Sequence, residues 1–516
     1  MVKKGKILGL NDFSWIGDWS RRRAMLSPNR EAIFDNIEKK IYTYKELDYR
    51  ANQLARVLLD NGISKGDRIA MFSTNRIECI DLFLATGKIG AILVPFNVRL
   101  SIKELEYLIK KTGPSIFFYE SRLKSQVEEI KDKDLILKNI AMGAVSIQND
   151  PTTQKLMTKA SNSEIKKPIL YFEDPHLILF TGGTTGLPKG AVLSHRLIFW
   201  NSVNTILSWG LNQDDIQPLL FPLFHTGGWN VLLVPFYHLG AKTILMGDFN
   251  PEETLKIIED HACSIVIGVP TMFHMMANSP NFDTANIESV KIFISGGAPC
   301  PVAIMEKYWA RNKLFKMGYG LTEVGPNNFY LPENKIKLKP TSVGLPVLHC
   351  DMKIIDTKTN KIVIRGEIGE LLLRGPHIFS GYWDEPEETK KTIEKDGWVH
   401  TGDLAKQDED GYFYIVGRRK EMYISGGENV YPVEIEELLY KHPAIDLAAV
   451  IGVDDKKWGE VGKAFITLKP GKTITIEDIR DYLLQNLAKY KIPKYFEIKD
   501  SLPTSAAGKI LKRELE

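Results

Sequence analysis

Between Thr43 and Phe118, helix and strand signatures take turns without interruption, and that alternation limits the possible folds more than any other feature of the chain. Thr43-Tyr44-Lys45-Glu46 has the form of a capping box, in which a hydroxyl and a carboxylate three residues apart satisfy backbone N–H groups at a helix start. It opens a helix with Leu47, Ala51, Leu54, Ala55 and Leu58 on one face, expected to end near Gly62. Ile69-Ala70-Met71-Phe72 reads as a buried strand, an apolar helix runs through Leu82 and Phe83 to about Gly87, and Ile92-Leu93-Val94 reads as a second strand. Ser101-Ile102-Lys103-Glu104 repeats the capping box, its helix stops before Gly113-Pro114, and Ile116-Phe117-Phe118 follows as a strand. Strands alternating with helices predict α/β layers on largely parallel sheets.

The same texture returns further on. Thr243-Ile244-Leu245-Met246, Ile265-Val266-Ile267 and Ile292-Phe293-Ile294 are strand candidates, and 251–261 is a helix with Pro and acidic residues in its first turn. From about 351 to 375, short strands and Gly turns predict an antiparallel sheet or small barrel. After Gly417 come a charged break (Arg418-Arg419-Lys420), a helix at 433–440, strands at 447–453 and 464–468, a helix at 476–487 and a strand around 496–498. The expected architecture is a large N-terminal α/β domain with a barrel-like subdomain (1–417) and a small α+β C-terminal domain (418–516).

A net charge of +3 over 516 residues is too small to argue for a nucleic-acid partner. Four scattered cysteines (Cys79, Cys263, Cys300, Cys350) without a C-x-x-C pair argue against a disulfide scaffold or zinc site, and suit buried free thiols in a reducing cytoplasm. Lysines at 3, 4 and 6 are followed by polar Asn11 and Asp12, so no signal peptide is expected, and no run approaches the ~20 apolar residues of a membrane span.

The chemistry concentrates in 180–190, Phe-Thr-Gly-Gly-Thr-Thr-Gly-Leu-Pro-Lys-Gly, entered from the apolar run 177–180. Glycines let backbone approach a ligand closely, successive N–H groups form anion-binding nests, and Thr181, Thr184, Thr185 and Lys189 add donors and charge. This predicts a phosphate-gripping loop at a strand end. It is not a Walker A loop, because Lys189 follows Pro188 and precedes Gly190. The segment resembles, at every position, the phosphate-binding signature of the adenylate-forming superfamily: acyl-CoA synthetases, luciferases and the adenylation domains of peptide synthetases.

The resemblance covers essentially the whole chain. It implies that Thr181, Gly182, Gly183, Thr184, Thr185, Gly186 and Lys189 hold phosphates, with Thr184 and Lys189 also catalytic. Gly296, Gly297, Ala298 and Pro299 would lie along adenine. In Gly318-Tyr319-Gly320-Leu321-Thr322-Glu323, Tyr319 would stack on adenine, Thr322 would touch the α-phosphate and Glu323 would hold Mg²⁺, a cation that prefers oxygen ligands. Gly318 and Gly320 keep that turn close to substrate and nucleotide. Trp398-Val399-His400-Thr401-Gly402-Asp403 would bring Asp403 to the ribose hydroxyls, and Arg418 would bind ribose or phosphate. Lys420 takes the hinge position of a mobile C-terminal domain, and Gly426, Gly427 and Glu428 would flank the coenzyme A channel. Lys509, in the motif 503–510, would be the catalytic lysine; Thr504 stands where relatives usually carry a basic residue.

The implied reaction joins two anions, a carboxylate and the α-phosphate of ATP. Their repulsion is about 4 kcal/mol at ~4 Å and an effective dielectric of 20. Mg²⁺ at Glu323, the 181–190 donors and Lys509 would offset it, and a thiol would then displace AMP from the acyl-adenylate. In Pro222-Leu223-Phe224-His225-Thr226-Gly227-Gly228-Trp229, His225 would border the acyl site, and Trp229 is either a gating indole of the fatty acyl type or plain core. The expectation is an ATP- and Mg²⁺-dependent ligase joining a medium- or long-chain fatty acid to coenzyme A. The alternatives are an aromatic-acid CoA ligase of the coumarate or succinylbenzoate type, an adenylating enzyme that serves a carrier protein, and a non-catalytic adenylate-binding protein. The expected partners are ATP, a carboxylic acid and coenzyme A, with a homodimer left open.

Overall fold

A computed structural model describes residues 13–133, 135, 138–181, 188–505 and 508–515. Its backbone is a six-stranded sheet in the order Asn139–Met142, Ile116–Glu120, Arg68–Phe72, Ile92–Phe96, Pro175–Thr181, Lys189–Ser194. The first five strands run parallel and the last pairs antiparallel with its neighbour. Alternate residues feed opposite faces, as a strand's period of two demands. Ile69, Met71, Leu93, Ile116, Phe118, Leu177 and Leu179 join the main core. Ala70, Phe72, Val94, Phe117, Tyr119 and Ile178 build a second core on the other face. Burial on both faces is why these strands read as continuous apolar runs.

Both predicted capping boxes form. Thr43 caps Tyr44–Asp60 and Ser101 caps Ile102–Thr112, each with the reciprocal Glu bond, and the second helix ends at Gly113 with φ 53°. The helix expected to stop at Gly87 instead runs Ile77–Ile89 and ends at left-handed Gly90. Gly87 serves packing instead. A Cβ there would lie 2.9 Å from the carbonyl oxygen of Gly17, so the glycine permits close approach of the N-terminal segment.

A four-stranded sheet pairs Glu31–Asp35 and Ile216–Leu219 in parallel with Lys242–Leu245, with Lys40–Thr43 antiparallel at its edge. A three-stranded parallel sheet contains Ile265–Gly268, Ile292–Ser295 and Leu314–Met317. The region expected to be barrel-like is a four-stranded antiparallel sheet of Asp351–Ile355, Gly369–Arg374, Val399–Gln407 and Phe413–Arg418. Beyond it, Tyr423–Ser425, Glu428–Val430, Ile445–Asp455, Gly459–Leu468 and Tyr495–Ile498 form a five-stranded sheet. Helices Pro432–Lys441 and Ile476–Leu484 pack on it around a core of their own that includes Tyr423, Ile435, Leu439, Ile479 and Leu483. All four cysteines are free and buried. Among the described residues, no helix is long and apolar enough to cross a membrane.

Candidate functional site

Three glycine-bearing segments leave the C-terminal ends of parallel strands, where open α/β sheets collect ligands. Pro175–Thr181 precedes the glycine-rich 182–187, Ile292–Ser295 runs into Gly296-Gly297, and Leu314–Met317 into Gly318 through Glu323. Gly318 N donates to Ser295 O at 2.7 Å and Gly296 N to Gly268 O at 3.0 Å, so neighbouring strand ends are tied together. Gly297 has φ 80°, a conformation that favours glycine. At Gly320 a Cβ would fall 2.3 Å from the carbonyl of Pro326, so its glycine is fixed by a close crossing within the turn. Gly182, Gly183, Thr184, Thr185 and Gly186, expected to grip phosphates, lie outside the described residues.

The antiparallel sheet carries the residues expected at the ribose. Its register sets Asp403 opposite Arg418. Arg418 Nε lies 2.7 Å from Asp403 Oδ1, and the Tyr319 hydroxyl donates to Asp403 Oδ2 at 2.6 Å. Burial pushes the Asp403 carboxyl above its ordinary pKa while Arg418 pulls it down. Two carboxylate oxygens offer about four acceptor positions, so lone pairs remain for ribose hydroxyls. The Tyr319 ring meets Phe329 edge-on at 5.6 Å. Thr322 is buried beside it in the chain.

Among the residues expected at the phosphates, Glu323 Oε1 accepts from the Tyr382 hydroxyl at 2.9 Å and from Thr181 Oγ1 at 3.3 Å. Lys189 forms an ion pair with Glu388. No cluster of three metal-ligating side chains exists among the described residues. One carboxylate with neighbouring hydroxyls still fits Mg²⁺, which binds through one or two carboxylates and the substrate's phosphates. Glu323 would hold it, and the ion would supply charge neutralisation at the phosphates.

The last turn of the chain reaches this cleft. Gly508, at φ 80°, is seated on the helix Pro270–Ala277, where Thr271 Oγ1 donates to Gly508 O at 2.6 Å. Arg99 Nη1 donates to Ser505 O at 3.2 Å, and His274 Nε2 meets Asp446 Oδ1 at 2.8 Å. Lys509 is thereby brought into electrostatic range of His225, Asp403 and Arg418. Both His225 and Lys509 are exposed to solvent, with protein packed around them. Burial, then the nearby Arg418 charge, lowers the Lys509 pKa. Burial, then the Lys509 charge, lowers His225 to about 4. His225 Nδ1 accepts from Gly227 N at 3.2 Å, which leaves the proton of the neutral ring on Nε2. His225 can therefore offer an N–H to an anionic group.

The remaining expected residues fall outside this cluster. Trp229 is fully buried in the π-helical turn Gly227–Val231. Its Nε1 donates to Leu223 O at 2.5 Å, and its ring stacks on Phe83 at 4.9 Å. Lys420 sits in an exposed turn directly after the strand Phe413–Arg418. Gly426 and Gly427, at φ 60° and 91°, turn the hairpin that leads into Glu428. Gly426 N bonds Trp458 O at 3.1 Å, within the C-terminal sheet, and no described bond joins this hairpin to Lys509 or His225. Sequence reasoning missed Arg99, Thr271, Tyr382 and Glu388. The Gly381-Tyr382-Trp383 run and the Pro386 helix start were visible but carry no chemistry by spacing alone.

A family model described as AMP-binding enzyme matches residues 20–383, and one described as AMP-binding enzyme C-terminal domain matches 434–509. A feruloyl-CoA synthase of an Amycolatopsis species is 35% identical over 97% of this chain and 98% of its own length. A long-chain-fatty-acid–CoA ligase of Bacillus subtilis is 33% identical over 95% and 91%. Among solved structures, ATP-bound MatB from Rhodopseudomonas palustris matches with TM-score 0.88 at 30% identity, over 97% of this chain and 98% of that one. The apo form of the same protein gives 0.79.

Proposed function

We propose a substrate and a set of residue roles for this chain, which belongs to the AMP-binding enzyme family and is an AMP-forming acid–thiol ligase acting on an acyl or aryl acid. In this reading Thr181, Lys189 and the 182–187 loop hold the phosphates, Glu323 carries Mg²⁺, and Tyr319, Asp403 and Arg418 hold the nucleoside. Lys509 and the Nε2–H of His225 receive the acid's carboxylate, which attacks the α-phosphorus while the bond to pyrophosphate breaks. A neutral His225 suits this role, since it donates a hydrogen bond without drawing the carboxylate into a buried ion pair. Coenzyme A then attacks the acyl carbonyl through its thiolate, and AMP leaves.

The acid is proposed to be compact, of aromatic size, and the observation that carries this is the fixed indole of Trp229. A gating tryptophan must swing, which here would break the Leu223 bond and the Phe83 stack together. One helical turn from His225, an immobile indole acts as a wall. Similarity to a feruloyl-CoA synthase supports the same reading. The medium- or long-chain fatty acid expected from the sequence would require that wall to open.

The test is kcat/KM over a panel of acids, with pyrophosphate and thioester both measured. Cinnamate- and phenylacetate-type acids should outrun C12–C16 fatty acids, and thioester should require free coenzyme A. Trp229→Ala should cost ~3–5 kcal/mol of stability and, by removing the wall, raise kcat/KM for C12–C16 acids relative to cinnamate-type acids. A wild-type kcat/KM that climbs with each added CH₂, by the ~0.8 kcal/mol that a buried methylene contributes, would return the assignment to fatty acids.

A further inference from the structure

The segment 379–383 lies along the outer edge strand Lys189–Ser194. Val192 N donates to Gly381 O at 2.9 Å, Ser380 N to Val192 O at 3.0 Å, and Trp383 N to Gly190 O at 2.7 Å. The short helix Pro386–Thr392 follows. Together they form a strap that faces the phosphate end with two side chains. Tyr382 braces Glu323 through its hydroxyl, and its ring lies under the Lys189 ammonium, 5.4 Å from the ring centre. Glu388 pairs with Lys189 through Oε2, while its Oε1 takes Lys391 at 2.6 Å. Lys391 keeps the carboxylate from swinging clear. The Lys189 side chain is 13% exposed and that of Glu388 30%, so water screens the pair only in part.

We propose that Glu388 is a positioning residue that competes with the nucleotide's phosphates for Lys189, and so sets how tightly ATP is held and how readily pyrophosphate leaves. This rests on the reading of Lys189 as the phosphate lysine. A lysine ammonium can bridge two anions, as Lys88 does between Asp18 and Asp48, but a carboxylate and a polyphosphate held together on Lys189 repel each other. An arriving triphosphate therefore weakens the Glu388 pair. When the bond at the α-phosphorus breaks, Glu388 retakes Lys189 and weakens the hold on the departing pyrophosphate. No covalent step is involved, because the exchange is of one ion-pair partner for another.

Glu388→Gln removes the competitor and keeps the shape. It should lower KM for ATP and the inhibition constant of pyrophosphate together, each about two- to fivefold, the scale of a partly exposed ion pair. Glu388→Asp should lie between the variant and the wild type. Lys189→Gln should raise KM for ATP at least about tenfold, the scale of lost charge-assisted bonds. In that background Glu388→Gln should change neither constant further. A strap that only props the fold predicts the opposite sign, a higher KM for ATP in Glu388→Gln, and that result overturns the proposal. Unchanged constants in Glu388→Gln beside a raised KM in Lys189→Gln overturn it as well. A Lys189→Gln variant with unaltered KM overturns the phosphate reading of Lys189 itself.

Discussion

At the scale of single residues, the site is a set of charges that hold one another in place. Asp403 would carry an uncompensated buried charge without Arg418 and Tyr319. Lys509 is kept less basic than a free lysine by burial and by Arg418. Its charge, within electrostatic range of His225, suits bringing together two anions, and only the first half-reaction requires that. Lys509→Ala should therefore cut pyrophosphate release from ATP and acid by about 100-fold or more, the scale of a lost electrostatic stabiliser. Thioester formation from pre-made acyl-adenylate should change by less than about threefold, since that step no longer has to bring a carboxylate up to the α-phosphate. Equal losses in both half-reactions would remove the assignment. Tyr319, Asp403 and Arg418, which the fold brings together, each stand in a contiguous motif and could be singled out from the sequence. Glu388 was not, since a Glu in a Pro-Glu-Glu-Thr-Lys-Lys run reads as a solvated helix face until its partner 199 positions away is known.

At the scale of elements, local rules accounted for most of the helices and strands. The two capping boxes form as read, and Asn250 caps Pro251–Asp260 by accepting from Glu253 N. The π-helical turn Gly227–Val231 was not foreseen, and π-turns recur at functional sites. Asn201 and Asn327 side chains donate to the Asn230 carbonyl at 2.6 and 3.3 Å, and Asn327 to the Val231 carbonyl at 2.8 Å. The turn is thus held by amide groups from distant segments. Gly228 lets it close on the preceding loop, because a Cβ there would lie 2.4 Å from the Pro222 oxygen. Gly228→Ala should cost ~1–3 kcal/mol by overpacking. His225 and Trp229, which flank the turn, should shift with it, so kcat/KM falls for every acid. A melting temperature within a degree of wild type would show that the turn relaxes freely and would refute the account.

At the scale of the whole molecule, the C-terminal sheet with its own core leans on the large part through Thr271–Gly508, Arg99–Ser505 and His274–Asp446. These contacts bring Lys509 to the cleft and leave the Gly426-Gly427 hairpin out of it. If the hairpin is to meet coenzyme A near the acyl-adenylate, the small unit must turn, and Lys420 lies in the exposed turn between the two parts. Lys420→Pro fixes φ near −65° there, and none of the described backbone bonds uses the Lys420 N–H. Thioester formation should slow about tenfold or more while pyrophosphate release changes little. Equal slowing of both steps would place the hinge elsewhere.

By itself the sequence determined the α/β alternation, the helix caps, the glycine turns at strand ends and the motifs in which the proposed site residues stand. Each of these is encoded within a few neighbouring positions: a hydroxyl three residues from a carboxylate, an apolar run of strand length, a glycine where the chain must turn. What the tertiary structure decided depends on residues far apart in the chain. It buried Trp229 between Leu223 and Phe83, joined Lys189 to Glu388, and brought Lys509 into electrostatic range of His225. It also gave Gly87 and Gly320 their reasons, since each glycine makes room for backbone that only folding brings there. Local chemistry can be read along the chain. Close approach and charge pairing across hundreds of residues arise only when packing fixes which surfaces meet.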